Sequence, residues 1–292
     1  MSESEDILRI PPWLRVKLPQ SRCKGGTRDL LADLNLNTVC QGAKCPNLFE
    51  CFGKGVATFL ILGRNCTRDC RFCNISPGAP QPVEPDEPER VAEAARRLEL
   101  SHVVVTSVTR DDLADGGAGH FAATLRAIRQ ALPRATTEVL IPDFKGEEGD
   151  LRTVLGARPD VLNHNLETAR ALSPKIRPQA DYARSLELLR RSKAIAPDTP
   201  VKSGLMVGLG ETDEQVRETM RDLAGAGCDI VTVGQYMRPS LQHPPVKRYV
   251  HPDVFEEYAR YGESLGIPHT FAAPLVRSSY NAEMFARAGK EA

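Results

Sequence analysis

ATFLILGRNCTRDCRFCN, residues 57–74, passes without a break from a strand-like run into a loop carrying three cysteines spaced CxxxCxxC. The opening run, ATFLILG (57–63), is of buried type and rich in branched residues, the pattern of a strand covered on both faces as in a parallel sheet. Five further runs share that character: HVVVTSV (102–108), TEVLIP (137–142), DVLNHN (160–165), VKSGLMVG (201–208) and DIVTVGQ (229–235). Helical periodicity falls between them, on Val91, Ala94, Ala95 and Leu98, on Phe121, Leu125, Ile128 and Leu132, and less cleanly on Leu186 and Leu189. Thr212 with Gln215 forms a capping box ahead of Val216, Met220 and Leu223, and a last helix is expected near 255–265. Strands alternating with helices make right-handed βαβ crossovers, so the chain is expected to be α/β, a six-unit, incompletely closed barrel. Chemistry in such barrels sits on loops at the carboxyl ends of strands, which is where Cys66, Cys70 and Cys73 fall.

Length and charge narrow the classes. A chain of 292 residues suits one barrel with terminal extensions. Lysines plus arginines balance aspartates plus glutamates at 38 each, and no basic stripe carries interleaved aromatics, so neither nucleic acid nor a membrane surface is expected as a partner. The start, MSESEDILRI, is acidic and has no signal-peptide core, which predicts a cytoplasmic protein. SPGAPQPVEPDEPE (76–89) reads as a linker between the cysteine loop and the first helix.

Eight cysteines in a reducing compartment do not suggest a disulfide framework. Six of them lie between Cys40 and Cys73, in two sets: Cys40, Cys45, Cys51 and then Cys66, Cys70, Cys73. Structural zinc takes four cysteine or histidine ligands, and the first histidine is His102, outside the block. Iron–sulfur cubanes also take thiolates, usually four. Three leave one iron open to substrate or cofactor, as catalytic zinc keeps one position open. A different class stays open too, a metal-stapled structural or redox-sensing protein, which would be colourless and free of sulfide if it held zinc.

CxxxCxxC with Phe72 before its last cysteine resembles the signature of the radical S-adenosylmethionine (radical SAM) superfamily. That resemblance implies a partial (β/α)6 barrel of the radical SAM type with N-terminal and C-terminal extensions. It also implies a cluster on Cys66, Cys70 and Cys73 whose open iron chelates S-adenosylmethionine and cleaves it to a 5′-deoxyadenosyl radical. Further blocks, TVCQGAKCPNLFECF (38–52), TSVTRDDLADGGA (106–118), IPDFKG (141–146), HNLET (164–168), GLMVGLGET (204–212), GQYMRPS (234–240) and PLVRSSYNA (274–282), resemble the lipoyl synthase family in order, from Pro11 to Ala282.

The resemblance to that family implies insertion of two sulfurs at C6 and C8 of an octanoyl chain carried on a lysine. It implies two 4Fe-4S clusters, the auxiliary one held by Cys40, Cys45, Cys51 and Ser279 and consumed as the sulfur donor. From the residues alone, Ser278 and Ser279 are not separable, and RSSY by itself reads as an ordinary polar turn. The implied partners are an octanoylated lipoyl carrier protein (a dehydrogenase-complex E2 domain or the glycine cleavage H protein), an electron donor such as ferredoxin or flavodoxin, and an iron–sulfur cluster repair protein. A methylthiotransferase or a biotin-synthase-like enzyme is the runner-up within the class, and the leading cysteine set and RSSY argue against both. The corresponding division is 1–54 for the auxiliary-cluster cysteines, 55–275 for the barrel and 276–292 for a segment closing over the site, in one structural unit.

Several rim positions are candidates for S-adenosylmethionine contacts, each with a plainer alternative. Asn165 and Glu167 suit ribose hydroxyls or the methionine amine, and Arg177 its carboxylate; solvated loop groups are the alternative. Thr106 and Ser107 close the second strand at the same rim. Gly204 and Gly208 are assigned to adenosine contact through the resemblance, with a helix-leading turn as the alternative. Cys228 reads as a core cysteine, Cys23 as a loop thiol and His164 as a rim or core residue.

Overall fold

The computed structural model describes residues 8–15, 25–43, 45, 47–48 and 58–279. Cys23 and Cys51 lie outside the described residues. All six expected strands form, most of them trimmed by a residue or two and β4 starting one residue early: β2 (Thr58–Ile61), β3 (His102–Ser107), β4 (Thr136–Leu140), β5 (Val161–Asn163), β6 (Val201–Val207) and β7 (Ile230–Gln235). Two short strands flank them, β1 (Asn37–Thr38), antiparallel to β2, and β8 (His269–Ala272), parallel to β7. Among the described residues the sheet runs β1 to β8 in sequence order, with β1 and β8 at its edges. The architecture is therefore an open, mostly parallel α/β barrel, as expected, with a seventh parallel strand added.

Helices α1 (Gly25–Asp33) and α2 (Val39–Gly42) bracket β1, and the crossovers are α3 (Glu87–Arg97), α4 (Ala118–Ala131), α5 (Glu148–Gly156), α6 (Ser173–Ile176), α7 (Tyr182–Ile195), α8 (Asp213–Gly225) and α9 (Pro252–Ser264). Alternation along each strand splits the core in two directions. Phe59, Ile61, Val103, Val105 and Val139 pack outward under Val91, Ala94 and Ala95 of α3 and Phe121, Leu125 and Ile128 of α4. Val201, Leu205, Val231 and Val233 do the same against α7, α8 and α9. The opposite faces of the strands contribute a small inner cluster of Val104, Val161 and Ile230 with Phe271. Level with that cluster in the strand register, Lys202 Nζ bonds both oxygens of Glu138 at 3.0 Å, and Asn163 Nδ2 donates to the same carboxylate at 3.1 Å. A pair so completely buried tolerates loss of neither partner alone.

The capping box on α8 forms as expected: the Gln215 amide donates to Thr212 Oγ1 at 3.2 Å and the Thr212 amide to Gln215 Oε1 at 3.0 Å. Losing such a cap costs about 1 kcal/mol. One boundary differs. Helix α3 starts at Glu87, inside the stretch assigned to the linker, because Pro88 is acceptable in a first turn where its missing N–H is not needed. Glu87 itself is buried, its carboxylate accepting the Leu62 amide at 2.8 Å and facing His120 Nε2 at 2.8 Å. Among the described residues, no helix is long and apolar enough to cross a membrane.

Candidate active site at the barrel mouth

The cysteine loop leaves β2 through a left-handed pair, Leu62 (φ 67°) and Gly63 (φ 100°), and is held by its own backbone. The Cys66 amide donates to Ser76 O at 2.9 Å and the Gly78 amide to Cys66 O at 3.0 Å, closing the loop at its base. Thr67 ties it to the end of β3, its hydroxyl donating to Thr109 O at 2.9 Å and accepting the Asp111 amide at 3.0 Å. On the other flank the Asp69 amide donates to Gln179 Oε1 at 2.8 Å and the Arg71 amide to Ile176 O at 2.9 Å. Phe72 packs against Ile176, Leu209 and Tyr236. His243, from the segment after β7, places Nε2 3.1 Å from Cys73 O.

Cys66, Cys70 and Cys73 are partly exposed and form no disulfide. Burial pushes the Cys73 thiol up to about 12 and raises Cys70 as well. Thiols in that state ionise only when a cation joins them, and metal ligation supplies one. Cys66 Sγ accepts two amides, from Arg68 at 3.4 Å and Thr109 at 3.3 Å, which fix the direction of the sulfur. Among the described residues, no three histidine, cysteine, aspartate or glutamate side chains converge as a single metal ion would require. The donor set therefore fits an iron–sulfur cluster, which uses thiolates on separate irons, better than mononuclear zinc.

Asn165, Glu167 and Arg177 stand beside this loop and are not solvated loop groups. Asn165 and Arg177 are buried, and Glu167 is half-buried. The segment past β5 zips onto β6: the Glu167 amide donates to Gly204 O at 2.9 Å and Glu167 O accepts the Met206 amide at 2.9 Å. Glu167 takes a left-handed backbone (φ 67°), an unusual conformation for a residue with a side chain. Its carboxyl accepts Asn165 Nδ2 at 3.0 Å; burial raises its pKa, opposed by the charge of Arg177. Arg177 donates through Nη1 to Asn165 O at 3.2 Å and Leu166 O at 2.9 Å.

Polar atoms at this rim are left over. Arg177 Nε, Asn165 Oδ1 and Ser107 Oγ are buried with no hydrogen-bond partner among the described residues, so their donor and acceptor capacity is unused by the protein itself. Thr106 instead donates its hydroxyl to Leu140 O at 2.8 Å. At Gly204 a side chain would strike Thr232 Oγ1 at 2.4 Å and approach Asn165 Oδ1 to 3.2 Å. The close approach at Gly208 (φ 103°) is made by the protein: a side chain there would meet Gln235 Nε2 at 2.2 Å and Arg248 O at 2.5 Å. Its amide and that of Leu209 donate to the Glu211 carboxylate, which builds a turn ahead of α8.

The second cysteine set approaches the same mouth. Cys40 is buried in α2 and its thiol is raised by burial, with Cys45 close enough to add to the effect. Asn74, next to Cys73, donates to Gly42 O at 2.7 Å, which joins the two cysteine segments. Asn47 Nδ2 donates to Leu275 O at 2.9 Å, which brings the chain after β8 to Cys45. Half-buried Arg277 also faces Cys45. Ser278 and Ser279 follow at once, both half-buried. Asn47, His243, Gln179, Asp111 and Asp143 were not singled out from the sequence; the last two lie in TSVTRDDLADGGA, where only Thr106 and Ser107 had a role, and in IPDFKG, which had none.

An open parallel barrel with a three-cysteine loop at its mouth defines a radical SAM protein, and the family profile described as Radical SAM superfamily matches residues 60–223. A crystal structure of methylornithine synthase (PylB) shares the fold at TM-score 0.55 and 13% identity, over 87% of this chain and 80% of that one. Within the superfamily the chain belongs to the lipoyl synthase family. It is 66% identical to the lipoyl synthase of Oleidesulfovibrio alaskensis over 97% of this chain and 96% of that one. It is also 66% identical to the lipoyl synthase of Nitratidesulfovibrio vulgaris strain DP4, over 96% and 93%. Membership in the superfamily implies a 4Fe-4S cluster and S-adenosylmethionine as cofactors.

Proposed function

We propose that this chain inserts two sulfur atoms at C6 and C8 of an octanoyl group carried on a protein lysine, taking both from an auxiliary 4Fe-4S cluster of its own. The observation that carries this is the Asn47 bond to Leu275, which sets the Cys40 and Cys45 segment beside the chain leading to Ser279. Cys66, Cys70 and Cys73 would hold one cluster, and Cys40, Cys45, Cys51 and Ser279 the other. With S-adenosylmethionine at its open iron, the first supplies a carbon-centred radical able to remove hydrogen from an unactivated methylene.

The remaining roles belong to the chain's own groups. Arg177, whose buried Nε has no hydrogen-bond partner among the described residues, carries a positive charge that suits the carboxylate of the methionine moiety. Glu167, oriented by Asn165, suits the amine, and Ser107 and Asn165 offer polar atoms to ribose. Thr106 and Gly204 shape the wall and floor of that seat, and Gly208 the turn above it. The segment 276–292 would act with 1–54 and the barrel as one unit, shutting water away from the radical. Delivery of electrons by a ferredoxin or flavodoxin, and rebuilding of the spent cluster by a repair protein, complete the proposal. The octanoyl group would arrive on a dehydrogenase-complex E2 domain or on the glycine cleavage H protein.

Alanine variants of the two cysteine sets test it. Replacing Cys66, Cys70 or Cys73 should abolish release of 5′-deoxyadenosine while roughly half of the iron and sulfide remains. Replacing Cys40, Cys45 or Cys51 should leave that release and abolish thiolated peptide, read by mass spectrometry. Sulfur appearing on the octanoyl peptide from the second group of variants would sink the donor assignment.

A further inference from the structure

Arg68 is one of three residues between Cys66 and Cys70, and its side chain is turned inward, only 6% exposed. Its guanidinium forks onto Asp111, with Nε donating to Oδ2 at 2.7 Å and Nη2 to Oδ1 at 2.9 Å. Nη2 also donates to Asp143 Oδ1 at 2.7 Å, and Asp143 is completely buried. The two carboxylates come from the ends of different strands, Asp111 after β3 and Asp143 after β4. Lys145 fixes both in turn. Lys145 donates through its backbone amide to Asp143 Oδ1 at 3.1 Å and through Nζ to Asp111 O at 2.8 Å. Arg184 of α7 reaches Asp143 Oδ2 at 3.4 Å from the other side. Arg68 and Asp143 are the buried pair at the centre of this group, while Asp111 and Arg184 are partly exposed, at 28% and 35%.

We infer that Arg68 is a positioning residue: its fork onto Asp111 and Asp143 fixes where Cys66 and Cys70 stand relative to the rim groups past β3, β4 and β5, and so where S-adenosylmethionine meets the cluster. The anchored residue lies between two ligands of one loop, and its own amide donates to Cys66 Sγ, so a shift of its backbone moves both sulfurs. A planar guanidinium can satisfy two carboxylates at once in fixed directions, whereas a lysine ammonium cannot. The inference rests on the proposal that Cys66, Cys70 and Cys73 hold the open-iron cluster. It gives TSVTRDDLADGGA and IPDFKG a task that the rim contacts alone do not.

The test uses the full chain, reconstituted anaerobically and reduced, with S-adenosylmethionine titrated against the electron paramagnetic resonance signal of the clusters. Arg68→Lys should raise the half-saturating concentration by about tenfold or more, since small misplacements at a reacting centre cost that much or greater. Apoprotein of the same variant should melt close to the parent. Asp143→Asn, which keeps the fork onto Asp111, should give a smaller rise in the same direction and serves if Arg68→Lys folds poorly. Arg184→Ala, which touches Asp143 from outside the loop, should lower the melting temperature slightly and leave half-saturation alone. The inference is overturned if Arg68→Lys and Asp143→Asn both saturate like the parent, or if half-saturation shifts equally in Arg184→Ala. A parent whose signal ignores S-adenosylmethionine overturns the cluster assignment, and this inference with it.

Discussion

His164 sits one residue before the rim group Asn165 and is wholly enclosed, with Nδ1 2.8 Å from Ile141 O and Nε2 3.0 Å from Ser185 Oγ. A carbonyl on one nitrogen and a hydroxyl on the other suit the neutral ring, with Nδ1–H donating and Nε2 accepting. Burial, aided by the charge of Arg177, pushes its pKa down to about 4. An unfolded histidine titrates near 6.5, so between those values the unfolded chain binds the proton and the folded one does not. Stability is therefore lost as pH falls from about 6.5 towards about 4, by roughly 3 kcal/mol from this group alone. Thermal melts of apoprotein across that interval should show the loss, and His164→Gln should flatten it. An unchanged slope in the variant would place the acid sensitivity elsewhere. Asp143 acts at lower pH: burial alone would raise it, but Arg68 outweighs burial and holds it below the usual carboxylate range, so its contribution persists until the acid reaches that group.

At the scale of elements, the segment after β8 is seated by the absence of a side chain. The Gln235 amide donates to Pro274 O at 3.2 Å, and a Cβ on Gly234 would lie 2.2 Å from Val276 O. Gly234→Ala should therefore displace residues 275–279 at a cost of about 1–3 kcal/mol, the usual range for overpacking. If Ser279 ligates the auxiliary cluster, iron and sulfide per chain should fall by roughly half while the Cys66 set keeps its share. Full metal content in this variant would separate the segment from the cluster. The six inner strands were legible because burial on both faces selects continuous branched runs. The edge strands, of two and four residues, leave no such run, and α5 offers only Leu151, Val154 and Leu155 between glycines. The cysteine loop was legible because its ligands are neighbours in sequence. Arg68 with Asp143 and Asn47 with Leu275 are separated by 75 and 228 residues, and their pairing is a product of the barrel that no local pattern records.

For the whole molecule, the proposed ligand set makes the chain's end part of its chemistry. Deletion from Arg277 onward should abolish thiolated product while 5′-deoxyadenosine is still released. Ser279→Cys should slow sulfur insertion, because thiolate suits iron better than a hydroxyl and the corner that must open would hold more tightly. Unchanged single-turnover rates in that variant would exclude Ser279 as the yielding ligand. Without added iron and sulfide, each chain should make no more than one lipoyl group, counted by mass spectrometry against protein. The open sheet gives that limit a mechanical side. Its edges are β1 and β8, Cys40 follows β1 closely, and the run to Ser279 follows β8. A cluster held by both, as proposed, would be a rivet across the seam of the barrel, and the proposed reaction would dissolve it. A used copy should therefore be nicked by protease near both ends sooner than a fresh one, an age mark written into the enzyme by its own turnover and erased when the cluster is rebuilt.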